Sequence, residues 1–125
     1  MHNVIKVAVA DNHADYREAL ADLLTESGFT VVLSAGVGPD LLQVIDPGNL
    51  PDIIVISCST MYPESLAVIR ELKNKFPYIK VLANVVFIHY LPDAWLMKTY
   101  IDGWVVKTMA DPAAIIKAIH KTCGL

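Results

Sequence analysis

The sequence is poor in cysteine and in basic residues, and it has no long apolar run. Its two cysteines, Cys58 and Cys123, are too few for the disulfide framework of a small secreted domain. No apolar run approaches the roughly 18 residues of a membrane-spanning helix, and no secretory signal precedes the first strand pattern. The net charge of −3 argues against a broad basic face for nucleic acid. We therefore expect a cytoplasmic domain that binds neither membrane nor nucleic acid.

Glycine-rich phosphate-binding loops are also missing. Residues 11–14, which follow the first predicted strand, read DNHA and contain no glycine. The sequence GVG at residues 36–38 lacks the rest of a dinucleotide-binding fingerprint. These absences argue against a small enzyme or nucleotide binder, which stays as an alternative.

Strand and helix patterns alternate along the whole chain. Its 125 residues, 54% of them hydrophobic, suit one domain that spans 1–125. The predicted strands are residues 4–10, 29–34, 51–57, 80–85 and 104–106. The middle one, PDIIVIS, has four apolar residues in a row, which is typical of a strand buried on both faces. We place residues 58–60 in a polar loop after it.

Residues at helical spacing follow each strand. Of five predicted helices, the second has Pro39 in its first turn, the fourth spans residues 92–100 and the fifth is capped by Asp111. The residues predicted to face inward are Tyr16, Leu20, Leu23, Leu24, Leu41, Leu42, Ile45, Leu66, Ile69, Leu72, Phe76, Ile115, Ile116 and Ile119. This alternation predicts an α/β fold, a doubly wound five-stranded parallel sheet flanked by five helices.

The residues that end these strands define a candidate site. In such a sheet the carboxyl ends of the strands line one edge, where sites are built. Asp11 and Asn12 follow the first strand, Ser57 ends the third, Val85 ends the fourth and Lys107 follows the fifth. We expect these five positions to lie together at that edge.

Two segments resemble the receiver domain of two-component response regulators. The sequence ADNHADYREAL at residues 10–20 is similar to the start of receivers of helix-turn-helix transcription regulators. The sequence DGWVVK at residues 102–107 is similar to the segment around the family's lysine. The resemblance covers essentially the whole chain. It implies the flavodoxin-like receiver topology, with strand order 2-1-3-4-5, and a role in phosphorelay signal transduction.

The residues that phosphorylation needs are only partly kept. A working receiver, as the resemblance implies, holds Mg²⁺ with an acidic pair and uses an acceptor aspartate, a switch hydroxyl and a lysine. Asp11 matches the first acid and Lys107 the lysine. Asn12, Ser57 and Val85 replace the second acid, the acceptor and the hydroxyl. The chain therefore resembles a degenerate pseudo-receiver, with no catalytic residue, metal or cofactor expected and weak Mg²⁺ binding at Asp11 left open.

Two further expectations concern this edge. Without metal or phosphate, Asp11 and Lys107 are predicted to pair, directly or through water. Ser57 is either a strand-end residue with a local hydrogen bond or a phosphorylation site in its own right, and the first reading fits better because no activating base is evident. Cys58 and Cys123 are placed at opposite edges, so no disulfide is expected.

An apolar segment after the fourth strand is a second departure from the family pattern. Its large side chains are Phe87, Ile88, Tyr90, Leu91 and Trp95. They either fill a local core or form a surface for a protein partner or a second copy. The resemblance favours a surface, because receivers dimerise through the face of helix four, strand five and helix five.

We interpret the chain as a receiver-like signalling domain that acts without phosphorylation, as a protein-interaction or dimerisation module in signal transduction or transcription control. The resemblance also suggests a C-terminal DNA-binding domain in a longer parent chain. The alternatives are a phosphorylatable receiver with a cryptic acceptor and the flavodoxin-like enzyme or nucleotide binder.

Overall fold

The structure is a computed structural model that describes residues 4–58, 63–85, 99–107 and 111–125, without the side chains of 63–65. The strands are β1 (Lys6–Ala10), β2 (Thr30–Ala35), β3 (Ile53–Cys58), β4 (Lys80–Val85) and β5 (Gly103–Val106). The helices are α1 (Ala14–Glu26), α2 (Leu41–Val44), α3 (Pro63–Lys75) and the C-terminal helix (Pro112–Thr122).

The five strands form one parallel sheet in the order β2-β1-β3-β4-β5. This confirms the predicted fold class and strand order. The apolar run of β3 explains its central place, because Ile53 to Ile56 are at most 1% exposed and so need cover on both faces of the sheet.

Two hydrophobic clusters cover the two faces. One contains Ile69 and Leu72 of α3 with alternate residues of the strands, such as Ile54. The other contains Leu24 of α1 and Ile119 of the C-terminal helix, packed with the residues that point the opposite way. The inward helix stripes therefore follow the helical spacing of the sequence.

The start and end of β3 differ from the prediction. The strand begins at Ile53 and continues to Cys58, which the sequence pattern places in a polar loop. That placement is wrong: Cys58 pairs in register with Val85 and is 4% exposed. Asp52, just before the strand, accepts a hydrogen bond from the backbone N–H of Lys6.

Helix boundaries also need correction. Helix α2 begins at Leu41, so Pro39 precedes it rather than lying in its first turn. Asp111 occupies the N-cap position of the C-terminal helix, but its side chain makes no capping hydrogen bond. Of the predicted fourth helix, only Thr99 and Tyr100 lie within the described residues, and both are helical. Among the helices of the described ranges, none has the length and apolar character to span a membrane.

Candidate functional site

The carboxyl edge of the sheet brings Asp11 and Lys107 into direct contact. Lys107 Nζ donates to Asp11 Oδ2 across 2.7 Å. The side chains of Asp11 and Lys107 are only 3% and 14% exposed. The predicted pairing is therefore confirmed, and it is direct and largely removed from water.

The other oxygen of Asp11 is also engaged. Oδ1 accepts a hydrogen bond of 2.8 Å from the backbone N–H of His13, and the His13 ring nitrogen Nδ1 lies 3.4 Å from it. The backbone carbonyl of Asp11 accepts a hydrogen bond from Arg17. The carboxylate thus has the Lys107 ammonium on one oxygen and the His13 backbone N–H on the other, which suits a buried negative charge.

Tyr16 and Asn84 extend the contacts of this site into the sheet. Lys107 Nζ lies 4.0 Å from the centre of the Tyr16 ring, a cation–π distance. Asn84, in β4 and 2% exposed, donates through Nδ2 to the Tyr16 hydroxyl at 2.9 Å. Burial raises the pKa of Tyr16, and the negative charge of Asp11 raises this pKa further. Sequence reasoning missed this pair, although a lone amide in an apolar strand was a signal.

Asn12 faces a different partner. Its Oδ1 accepts a hydrogen bond of 2.7 Å from the backbone N–H of Val37, in the loop after β2. It borders a cleft of about 230 Å³ between that loop and α2. The amide that replaces the second acid therefore anchors a neighbouring loop.

Ser57 and Val85 end adjacent strands. Ser57 is half-buried and pairs in register with Asn84. Val85 is fully buried in the cluster that contains Cys58, and its carbonyl accepts a hydrogen bond from the backbone N–H of Lys107. Asp52 lies at the opposite edge, beside Lys6, so it does not replace Ser57 at this edge.

The oxygen-bearing side chains that follow β1, those of Asp11 and Asn12, are already engaged with other groups. Mg²⁺ takes oxygen ligands, usually one or two carboxylates with waters. Asp11 is already neutralised by Lys107, and Asn12 Oδ1 is bonded to Val37. Within the described ranges, no three residues of His, Cys, Asp or Glu gather in a metal-binding group.

The predicted interaction segment, Phe87, Ile88, Tyr90, Leu91 and Trp95, lies outside the described residues. Strand β5, which forms one edge of the sheet, exposes two large apolar side chains instead. Trp104 is 43% and Val106 38% exposed. The described part of the chain therefore presents apolar surface on β5.

Solved structures establish what this fold is. Response regulator TrrA from Thermotoga maritima, in complex with Mg²⁺ and BeF, superposes with a TM-score of 0.73 at 19% identity, over 95% of this chain and 99% of that one. RcsB of Salmonella enterica serovar Typhimurium, bound to a promoter in the presence of BeF₃⁻, gives 0.74 at 19% identity, over 96% of this chain and 60% of RcsB. The fold is that of a response-regulator receiver domain.

Sequence comparison adds one relative. The transcriptional regulatory protein DegU of Brevibacillus brevis is 26% identical over 118 residues, which is 94% of this chain. The receiver-like chain spans about half, 49%, of the length of DegU. No family model matches the chain.

Proposed function

We propose that the chain is a receiver-like signalling domain of a response regulator that works without phosphorylation of an aspartate. The observation that carries this is the ion pair between Asp11 and Lys107, at the edge where Ser57 stands in the acceptor's place. Both charged groups that the resemblance assigns to phosphoryl transfer are engaged with each other.

The chemistry of Ser57 supports the same conclusion. A serine hydroxyl is a weak nucleophile unless a general base activates it. Asp11, the acidic residue that follows β1, already accepts hydrogen bonds from Lys107 and from the backbone of His13. It is therefore poorly suited to remove a proton from Ser57, and we assign the domain no enzyme activity.

The role left to such a domain is interaction with a protein. Exposed Trp104 and Val106 on β5 support a docking or dimerisation surface on the face of β5 and the C-terminal helix, to which the apolar segment around Tyr90 and Trp95 would add. RcsB, which is longer than this chain and binds a promoter, supports a DNA-binding domain in a longer parent chain. The location would be cytoplasmic.

Phosphorylation is tested by intact-mass spectrometry after incubation with acetyl phosphate and Mg²⁺. We expect no phosphoryl adduct, with Ser57→Ala as the matched variant and an ordinary receiver as the positive control. An adduct in the wild type that Ser57→Ala removes would show that Ser57 is an acceptor. An adduct that persists in Ser57→Ala would reveal a cryptic acceptor.

A further inference from the structure

Asn84 is a buried amide in β4, a strand whose other buried residues are all apolar. It is 2% exposed, and its register partners are Ser57 in β3 and Val105 in β5. A buried amide is costly unless it is hydrogen-bonded. Its Nδ2 donates to the Tyr16 hydroxyl, and Oδ1 has no partner within the described residues. The interior of the sheet therefore holds Tyr16 by its hydroxyl group.

The ring of Tyr16 makes the second contact in this chain of interactions. With the hydroxyl held by Asn84, the ring lies 4.0 Å from Lys107 Nζ, and Nζ in turn lies 2.7 Å from Asp11. Four elements meet here: β4 supplies Asn84, α1 supplies Tyr16, and the ends of β5 and β1 lead into Lys107 and Asp11. The ammonium is thus enclosed by a π face and a carboxylate.

We propose that Tyr16, held by Asn84, is a positioning residue that keeps the Lys107 ammonium on Asp11 and so holds the carboxyl end of β5 in one arrangement. The backbone N–H of Lys107 is tied to Val85 of β4, so restraint of the side chain also restrains the end of β5. This inference rests on the proposed function, because an ammonium retained by Asp11 is not available to a phosphoryl group. The contact between Lys107 and Asp11 is then permanent, and it takes the place of a contact between the lysine and a phosphoryl group that forms only on phosphorylation.

Competitive labelling of amines tests the role of Tyr16. The whole chain is treated briefly with the acetyl ester of N-hydroxysuccinimide, and acetylation of Lys107 is measured by peptide mapping relative to exposed Lys117. Tyr16→Leu removes the ring, and we expect acetylation of Lys107 to rise about three- to tenfold. Lys73, which pairs with Asp102 near the start of β4, should keep its wild-type rate.

Two milder variants distinguish positioning of Lys107 from general destabilisation of the fold. Tyr16→Phe and Asn84→Leu remove the same hydrogen bond from its two sides, so each should raise Lys107 labelling less than Tyr16→Leu. In the double variant Tyr16→Phe, Asn84→Leu, Lys107 should be acetylated no faster than in the more reactive of the two single variants. The reason is that the two residues act as a unit.

Two outcomes would overturn the inference. One is unchanged labelling of Lys107 in Tyr16→Leu, and the other is an equal rise at Lys73 and Lys107, which marks global destabilisation. The proposed function fails separately, through a phosphoryl adduct on the wild type treated with acetyl phosphate and Mg²⁺. That result leaves the labelling comparison intact.

Discussion

Lys107 Nζ and Asp11 Oδ2 are 2.7 Å apart, although 96 positions separate the two residues in the chain. Strands β1 and β5, which precede them, are separated in the sheet by β3 and β4. The lysine side chain therefore closes the carboxyl edge over the ends of the two intervening strands. Because both side chains are mostly buried, loss of either partner would leave an uncompensated charge away from water.

Removing Lys107 should destabilise the fold. Lys107→Met leaves the Asp11 carboxylate buried without its counter-charge, a change that costs about 3–5 kcal/mol for a buried pair. Asp11→Asn should cost less, because a lysine side chain can move its ammonium toward water. Urea melts of both variants give the free energies of unfolding.

Lys117→Met, on the exposed side of the C-terminal helix, is the matched control and should change stability by at most about 0.5 kcal/mol. The double variant Asp11→Asn, Lys107→Met should be more stable than the sum of the single losses predicts. If Lys107→Met is as stable as this control, the ion pair has no structural role.

Ser57→Asp alone should not restore efficient phosphorylation. It returns a carboxylate, but Lys107 stays paired with Asp11, Asn12 stays bonded to Val37, and effects within such a cluster are strongly coupled. Phosphoryl incorporation from acetyl phosphate should therefore stay far below that of an ordinary receiver. Ser57→Asn is the uncharged control; incorporation at the ordinary rate would show that the other substitutions matter little.

Gly103→Ala should destabilise the packing of the C-terminal helix on the sheet. An alanine Cβ at this position would overlap with Thr122 Oγ1, because the two atoms would be closer than van der Waals contact allows. It would also lie 3.3 Å from a methyl group of Leu82. Overpacking of this kind costs about 1–3 kcal/mol. Thermal melts should show a loss that Thr122→Ala partly reverses. Gly38→Ala is the control, because a Cβ there has no neighbour within 4 Å, and a similar loss in both variants would contradict this reason.

Self-association should not depend on a phosphodonor. If Trp104 anchors an interface of about 800 Å² per protomer, Trp104→Glu should shift sedimentation toward the monomer, since buried aromatic anchors carry much of the affinity. Tyr78→Glu is the control, because Tyr78 is 93% exposed in the turn before β4. The pair Tyr90→Glu, Trp95→Glu tests the predicted segment. A wild type that is monomeric at high micromolar concentration would leave the surface to a different partner.

The two thiols should differ in reactivity. Burial raises the pKa of Cys58 from 9.0 to about 12, whereas Cys123 is half-buried and its pKa is raised by burial and by the nearby Asp52. Near pH 8, an aromatic disulfide reagent should react with Cys123 in the folded protein and with Cys58 only after unfolding. Cys123→Ser should remove the fast phase. The folded state keeps Cys58 protonated up to about pH 12, whereas the unfolded chain releases this proton from about pH 9. The free energy of unfolding should therefore fall as pH rises from 9 toward 12.

The apolar runs and helical stripes of the sequence were sufficient to predict the five strands, the helices that the structure describes and the α/β class, because each depends on the local spacing of residues that must be buried. The positions of Asp11, Ser57 and Lys107 at the ends of strands followed from that pattern. The pairing of Asp11 with Lys107 was predicted as well, but only the tertiary structure decided the other contacts of the site. Asn84 reaches Tyr16 across 68 positions, Asn12 engages Val37, and Cys58 enters the core because it is in register with Val85. These contacts depend on strand register and helix placement, which bring distant residues together and which no local pattern encodes.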